Sequence, residues 1–537
     1  MSVTRCIRVV TSFFLATLLS VTVSTTAFAA DPTITSKPWA KWDGEPKRGG
    51  YYRTAAPVYI GKMNPNHWPV NDWVSLVYML ERFQLNDGSY NPTAPWLAES
   101  VTYQTPTVAI MKLRKGVTHH DGSPFNAESV KYTFDWIRDK KNKPWTRGST
   151  APIKSIEVVD EHTIRWNLKF PWVGFEGMLA TAPGFVLSAA ALKKDAAGFD
   201  THPVGTGAYI FEEASPGNYV KFKRNPNWWF AKASGNPDMP YFDGILVSVI
   251  PDPTVRLANL RAGKLDGMRL EKSQYAIALK DPKLKAFKYN REAMAGLRFN
   301  TTKGVLKDIR LRKAVSHAID RKALIIGTQF GLGRIASAMY PDDHWAHNPN
   351  LKAVTYDPEL SKKLLAEAGH GDGLVIKGYM YNTTNSTTIA EAVKGMLAKV
   401  GIDWQVEMMP PPAAAARMKS LDYDLAQGGW GWIYDPDRLA TGLYHPKGGF
   451  NFGRSNNPEI IALVEAGKKE TDRKKRQGIY WKLEEAVYND YQDVFLWWEE
   501  IPFGFRKKVM GWDNATFIKY KDPHYFSHPL WFADGKQ

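Results

Sequence analysis

Cysteine is almost missing from this chain: Cys6 is the sole example, and it lies near the amino terminus. The stretch around it, Met1–Ala29, reads as an export signal. Arg5 and Arg8 precede an apolar run from Val9 to Val23, and Ala27-Phe28-Ala29 offers small residues at the two positions a signal peptidase reads. Cleavage there starts the mature protein at Ala30 or Asp31 and leaves no thiol, which excludes disulfides, cysteine nucleophiles and cysteine-based metal sites. No later run is apolar and long enough to span a bilayer. Fixed-period repeats and low-complexity tracts are absent too, which excludes solenoids and disordered arrays. Reaction signatures are equally scarce: there is no His-Glu-x-x-His, no Gly-x-Ser-x-Gly, no Ser-x-x-Lys with Lys-Thr-Gly, and no phosphate-cradling Gly-x-x-x-x-Gly-Lys-Ser/Thr. His119-His120-Asp121 is the one dense set of metal-ligand types, but adjacent side chains diverge and the following Gly-Ser-Pro is turn chemistry. The sequence predicts no catalytic residue, no metal and no cofactor.

What is present is a large globular protein. The chain has 537 residues, 44% hydrophobic and 23% charged, enough for a sizeable core without disulfides. Its formal charge of +16 becomes +14 once Arg5 and Arg8 are removed. The basic residues are scattered in small groups such as Arg473-Lys474-Lys475-Arg476, the pattern of solvated helix faces. With an export signal in front, this argues against a nucleic-acid role and leaves general surface character or attraction of acidic solutes.

One stretch concentrates recognition chemistry. Gly428–Arg438 reads Gly-Gly-Trp-Gly-Trp-Ile-Tyr-Asp-Pro-Asp-Arg, placing aromatic faces, two carboxylates and a guanidinium among glycines that permit close approach. Asp-Pro and the glycines predict a loop leaving the short run before it. Asp435 and Asp437 admit two readings: a carboxylate pair for sugar hydrolysis, or turn caps and ligand acceptors.

Along the chain, Arg53–Ile60 is a candidate first strand that Pro57 confines to an edge. Asp72 caps a predicted helix reaching about Phe83. Val108–Leu113 and the alternating Thr163–Phe170 are predicted strands, with an Asn126-capped helix between them. Ile245–Ile250 reads as a buried strand leading to a helix at Thr254–Ala262. Beyond Phe299, helices capped by Asp308 and Asp357, a helix with Ile389, Val393 and Leu397 on one face, and a strand from Ile402 to Met408 describe an α/β lobe.

Several segments, taken in order, carry a resemblance. They are Leu113–Val130 with its His-His-Asp-Gly-Ser-Pro-Phe core, Pro203-Val-Gly-Thr-Gly-Ala-Tyr209, Arg224-Asn-Pro-Asn-Trp-Trp229, Pro240-Tyr-Phe-Asp243, Ile250-Pro-Asp-Pro-Thr254, Arg298-Phe-Asn-Thr-Thr302 and Arg310–Arg321. Together they resemble, over about residues 48–512, the extracytoplasmic solute-binding proteins of ABC importers in the dipeptide, oligopeptide and nickel family (family 5).

The resemblance implies a periplasmic-binding-protein-like II fold, α/β, of two lobes joined by a hinge with a small domain inserted in the first lobe. By it, residues 30–296 form lobe one, 297–500 lobe two, and 501–537 return to lobe one. It implies a monomer in the periplasm, closing on a peptide or peptide-like solute and delivering it to an inner-membrane ABC permease without chemistry. An oligosaccharide or opine-like ligand is the alternative within the class, and a secreted hydrolase using Asp435 and Asp437 the alternative outside it. The predicted ligand contacts are Trp430, Trp432, Tyr434, Asp435, Asp437, Arg438, Tyr381 and Asn382. Where relatives that bind peptides carry an aspartate for the free amine, this sequence has Ile433, so either Asp435 or Asp437 replaces it or the ligand lacks an N-terminal amine.

Overall fold

The computed structural model describes residues 45–67, 70–85, 94–431, 433, 435–511 and 529–536; the expected export signal, Met1–Ala29, lies outside them. The first sheet has four strands. Tyr51–Ala56 runs parallel to Gly244–Val249, which continues antiparallel to Tyr219–Arg224 and then Tyr209–Ser215. Tyr51–Ala56 stands at the edge, and Pro57 follows its last paired residue, where it removes no ladder donor.

A second sheet orders Ala98–Thr105, Val108–Leu113, Thr163–Leu168 and Ile153–Asp160, all antiparallel. Helix Ala127–Arg138 belongs with it, started by a reciprocal cap between Asn126 and Ser129. Ile164, Trp166 and Leu168 are buried as the alternation predicts, but Phe170 falls beyond the strand end and is exposed. The two sheets share one core, in which Trp166 and Met111 join Phe222 and Ile245. The inserted domain is therefore not separately cored.

The helix expected from Asp72 to Phe83 is only Trp73–Leu76. The apolar residues after it, Val77 to Leu80, are buried, and their backbone serves other segments: Met79 O accepts from Gly207 N at 3.0 Å and Tyr78 O from Tyr209 N at 2.9 Å. Tertiary hydrogen bonds replace the helical ones there. Nearby, the buried Glu81 carboxylate has no cation bonded to it among the described residues. It accepts from the indole N–H groups of Trp96 (2.9 Å), Trp228 (3.1 Å) and Trp229 (3.0 Å) and from the Thr206 hydroxyl (2.7 Å). Burial pushes its pKa up to about 7 despite those donors.

Further along, helix Thr384–Ala398 connects the parallel strands Leu374–Tyr381 and Ile402–Met409 in a βαβ unit, whose helix and second strand are those expected from the pattern. Asp308 and Asp357 cap helices Ile309–His317 and Pro358–Glu367 as expected.

Two long antiparallel strands tie the molecule together: Leu284–Phe299, of 16 residues, and Asp493–Arg506, of 14. Their one half, with Phe287, Ile501, Phe503 and Phe505, packs on the core just described. Their other half, with Leu297, Phe299, Val494 and Leu496, lies in a second core. Met294, Phe495 and Trp498 enter a third with Tyr340 and Tyr480. Between the halves the ladder breaks: Asn290 pairs with Glu500 and Met294 with Trp498, so three residues oppose one. The expected lobe boundaries at 296 and 500 fall on these same strands.

Candidate functional site

Gly428–Gly431 is not the start of a loop. It is the end of strand Leu425–Gly431, paired residue by residue with the crossing strand: Gly428 with Gly296, Gly429 with Ala295, Trp430 with Met294 and Gly431 with Ala293. The tryptophan segment thus ends beside the register break. Its glycines are sterically required. Gly429 has φ 122°, and a Cβ there would lie 2.5 Å from the carbonyl oxygen of Met294. Trp430 is half-buried; its indole N–H donates to the carbonyl of Met339 at 3.2 Å and its ring meets the edge of Phe495 at 5.9 Å. Arg298, whose guanidinium lies 5.9 Å from that ring, is held by buried Asp493 at 2.9 Å, and Asp493 also accepts from Tyr444 Oη at 2.8 Å. Trp432 and Tyr434 lie outside the described residues.

Beyond the strand, Ile433 is fully buried in the third core, so the position where an amine-binding aspartate was expected is structural here. Asp435 is buried and starts the short helix Pro436–Leu439 by accepting from Asp437 N at 2.8 Å. Both its oxygens are taken by Arg476, at 2.8 and 2.6 Å. Asp437, also buried, accepts from Thr441 Oγ1 at 2.6 Å, and burial, with Asp435 adding, raises its pKa. Arg438 is exposed. Tyr381 is partly buried, its backbone N–H donating to Gln427 Oε1 at 2.8 Å, and Asn382 next to it is exposed. Gln427 links that pair to the strand carrying Trp430.

Elements from the other half of the molecule close on this segment. A Cβ on Gly177 would lie 3.3 Å from Asp435 Cβ. Adjacent Glu176 accepts from Gln84 Nε2 at 3.2 Å, and its pKa is pushed up to about 7, chiefly by desolvation and further by Asp435. Tyr103 of strand Ala98–Thr105 is driven well above its ordinary pKa by burial, then by Glu176 and Asp435. Glu176, Gly177 and Tyr103 carry no signal in the sequence that marks them, because their role comes only from what they face. The expected metal-type run is a turn: His119 Nδ1 lies 3.2 Å from Ser123 O and His120 Nε2 2.9 Å from Gly207 O, so the rings point to different partners.

A family model described as bacterial extracellular solute-binding proteins, family 5, matches residues 93–451, a span holding both the tryptophan segment and the first crossing strand. The chain belongs to this family. Among family-5 relatives, the heme-binding protein A of Haemophilus influenzae is 28% identical over 412 residues, covering 70% of this chain and 73% of that protein. The glutathione-binding protein GsiB of Pectobacterium atrosepticum is 27% identical over 415 residues, covering 75% and 79%. The periplasmic binding protein DppA of Helicobacter pylori, solved with the peptide STSA, superposes with a TM-score of 0.74 at 24% identity, covering 91% of this chain and 99% of that one. That likeness establishes the fold, a family-5 periplasmic binding protein, and with it the α/β architecture expected from the sequence. Among the described residues no helix is long and apolar enough to cross a membrane.

Proposed function

We propose that this protein is the periplasmic substrate-binding component of an ABC importer, which captures peptides or peptide-like solutes between two lobes and presents the closed form to a membrane permease. The observation that carries the reading is the shared register break of the two crossing strands, at which the tryptophan segment ends. A two-strand ribbon broken at one level is a hinge, and a ligand touching both halves stabilises closure. The close approach of Gly177 to Asp435, with Glu176 and Tyr103 in electrostatic reach of it, favours a closed form.

Ligand-facing roles fall to Trp430, Trp432, Tyr434, Arg438, Tyr381 and Asn382, with Asp435 and Asp437 fixing the loop that presents them. The ligand classes named for the relatives, glutathione and the peptide STSA, support a peptide. The burial of Ile433 and the engagement of Asp435 favour a second reading, a ligand without a free amine such as an opine-like acid or an oligosaccharide. A hydrolase would need an available carboxylate pair, and neither Asp435 nor Asp437 is open. The protein is taken to act as a monomer, after removal of Met1–Ala29, without cofactor or nucleic acid.

Native mass spectrometry of the exported mature protein tests this. A retained mass that fragments to amino acids supports the peptide reading, and one built of sugar units supports the alternative. Turnover of a bound solute, abolished by Asp435→Ala, would overturn the binding-only reading.

A further inference from the structure

Beside the register break, two side chains that are not on the crossing strands reach each other across it. Lys272 follows strand Gly267–Arg269, which pairs with Phe503–Phe505 in the half of the ribbon that packs on the first core. It is fixed there. Leu270 and Ala278, on either side of it, are buried in a small core that Ala55 of the first sheet also packs against, and Glu271 and Gln274 cap the turn Lys272–Gln274 reciprocally. Gln274 Nε2 also donates to the carbonyl of Pro253 at 2.8 Å. Gln329 belongs to the other half. It ends helix Arg321–Gln329, whose Leu324 and Ile325 lie in the second core, and its Nε2 donates to Asn385 Oδ1 of helix Thr384–Ala398 at 3.0 Å.

The Lys272 ammonium donates to Gln329 Oε1 at 2.6 Å and to Glu499 Oε2 at 2.5 Å. Glu499 stands at the break itself, between Trp498, which pairs with Met294, and Glu500, which pairs with Asn290. Its other oxygen accepts from the indole of Trp497, a fully buried residue of the second core, at 3.0 Å. One lysine of the first half therefore holds two acceptors that the second half orients.

A further contact crosses at the same level. Glu500 Oε2 accepts from Lys288 Nζ at 2.8 Å and from Gly333 N at 3.0 Å. Lys288 pairs with Pro502 on the near side of the break, whereas Gly333 precedes Arg334–Ile335, which pairs with Trp498 and Trp497 beyond it. The two contacts differ in leverage, because a rotation displaces a group in proportion to its distance from the axis. Glu500 sits on the last rung before the break, so its bonds turn with little stretch. Lys272 and Gln329 lie off the crossing strands, so their separation changes with the angle between the lobes.

The chemistry suits a contact that forms and breaks. Lysine carries a compact, strongly hydrated charge on a flexible stem. The side chains of Lys272 and Glu499 are 17% and 20% exposed, so water can replace either partner when they separate, yet neither is open enough to make an ordinary surface pair.

We propose that Lys272 is a positioning residue for closure: its bonds to Gln329 and Glu499 form a strut that holds the two lobes at the closed angle, while Glu500 is the pivot common to the open and closed forms. This rests on the binding-protein reading and deepens it by naming what sets the closed state before a solute arrives. The strut raises the population of the closed form, so the affinity for any solute that touches both lobes includes its contribution.

The test is a distance measurement between the lobes. With Met1–Ala29 removed the chain holds no cysteine, so Lys154→Cys in the first half and Lys394→Cys in the second, both at exposed positions, carry spin labels at those sites alone. Pulsed electron paramagnetic resonance is recorded on the mature protein as exported and after solute is stripped by denaturant dialysis and refolding. The stripped parent should show a short and a long distance, and Lys272→Met should raise the ratio of long to short at least about fivefold with the melting temperature near that of the parent. Gln329→Met should raise the ratio as well, and the double variant should match Lys272→Met alone, because both act through one bond. A stripped parent with only the long distance, an unchanged ratio in Lys272→Met, or additive effects in the double variant would each overturn the strut and leave the binding-protein reading standing. A single distance, the same in the exported and the stripped parent, would overturn two-lobed closure and the strut together.

Discussion

Arg476 grips Asp435 through two parallel hydrogen bonds of 2.8 and 2.6 Å, with both residues buried, at the start of the helix that follows the tryptophan segment. Removing one partner strands a buried charge, which costs about 3–5 kcal/mol. Asp435→Ala is expected to destabilise the protein by that amount in urea denaturation. The double variant Asp435→Asn with Arg476→Met should recover much of the loss. If Asp435 instead anchored a ligand amine, Asp435→Asn would abolish binding with stability intact.

Glu81 sets a pH dependence of stability. Its folded pKa of about 7 lies above the ordinary carboxylate value of 4.5, so the folded state holds the proton more tightly. Stability from this group is fully present below about pH 4.5 and is lost as pH rises through 7, by up to roughly 3 kcal/mol. Parent protein should lose melting temperature between pH 5 and pH 8. Glu81→Gln should lose less over the same interval; an unchanged difference would refute the assignment.

Glu176 has the same sign but acts on closure, because Asp435 from the other half contributes to raising its pKa to about 7. If opening frees the group to titrate near 4.5, the closed form gains a proton and ligand affinity falls as pH rises through 7. The drop from pH 6 to pH 8 should reach up to about tenfold and vanish in Glu176→Gln, as read by titration calorimetry.

Gly429→Ala places a Cβ where the Met294 carbonyl stands, on a backbone with φ 122°. We expect a loss of more than about 2 kcal/mol from strain and a broken ladder. Denaturant unfolding of this variant beside Gly395→Ala, a helix position with open space around it, checks the effect.

Trp430→Phe keeps a ring against Phe495 but forfeits the hydrogen bond to Met339, a stability cost of about 1 kcal/mol. A ligand that stacks on Trp430 should lose affinity well beyond that in Trp430→Ala. Unchanged affinity with the fold intact would remove Trp430 from the site.

The elements most legible in the sequence were those with a local cause. Asn126, Asp308 and Asp357 cap helices because their side chains serve backbone N–H groups two or three residues on, a relation contained within one turn. The strand Val108–Leu113 followed from its apolar content. What could not be read was decided by partners far along the chain. The apolar run after Leu76 fails to stay helical because Gly207 and Tyr209 claim its carbonyls. Gly428–Gly431 becomes a strand because it pairs with Ala293–Gly296, a partner that for Gly428 stands 132 positions away in the chain. The resemblance supplied the two-lobed plan that periodicity could not.

The three indoles around Glu81 have an optical consequence. Indole N–H is a donor only, so every one of these contacts changes character when the carboxylate takes a proton. The first lobe therefore carries a built-in fluorophore cluster whose emission follows the charge on one acid. With 20 tryptophans in the chain, the part of the emission that follows this acid is the pH-dependent component that Glu81→Gln removes.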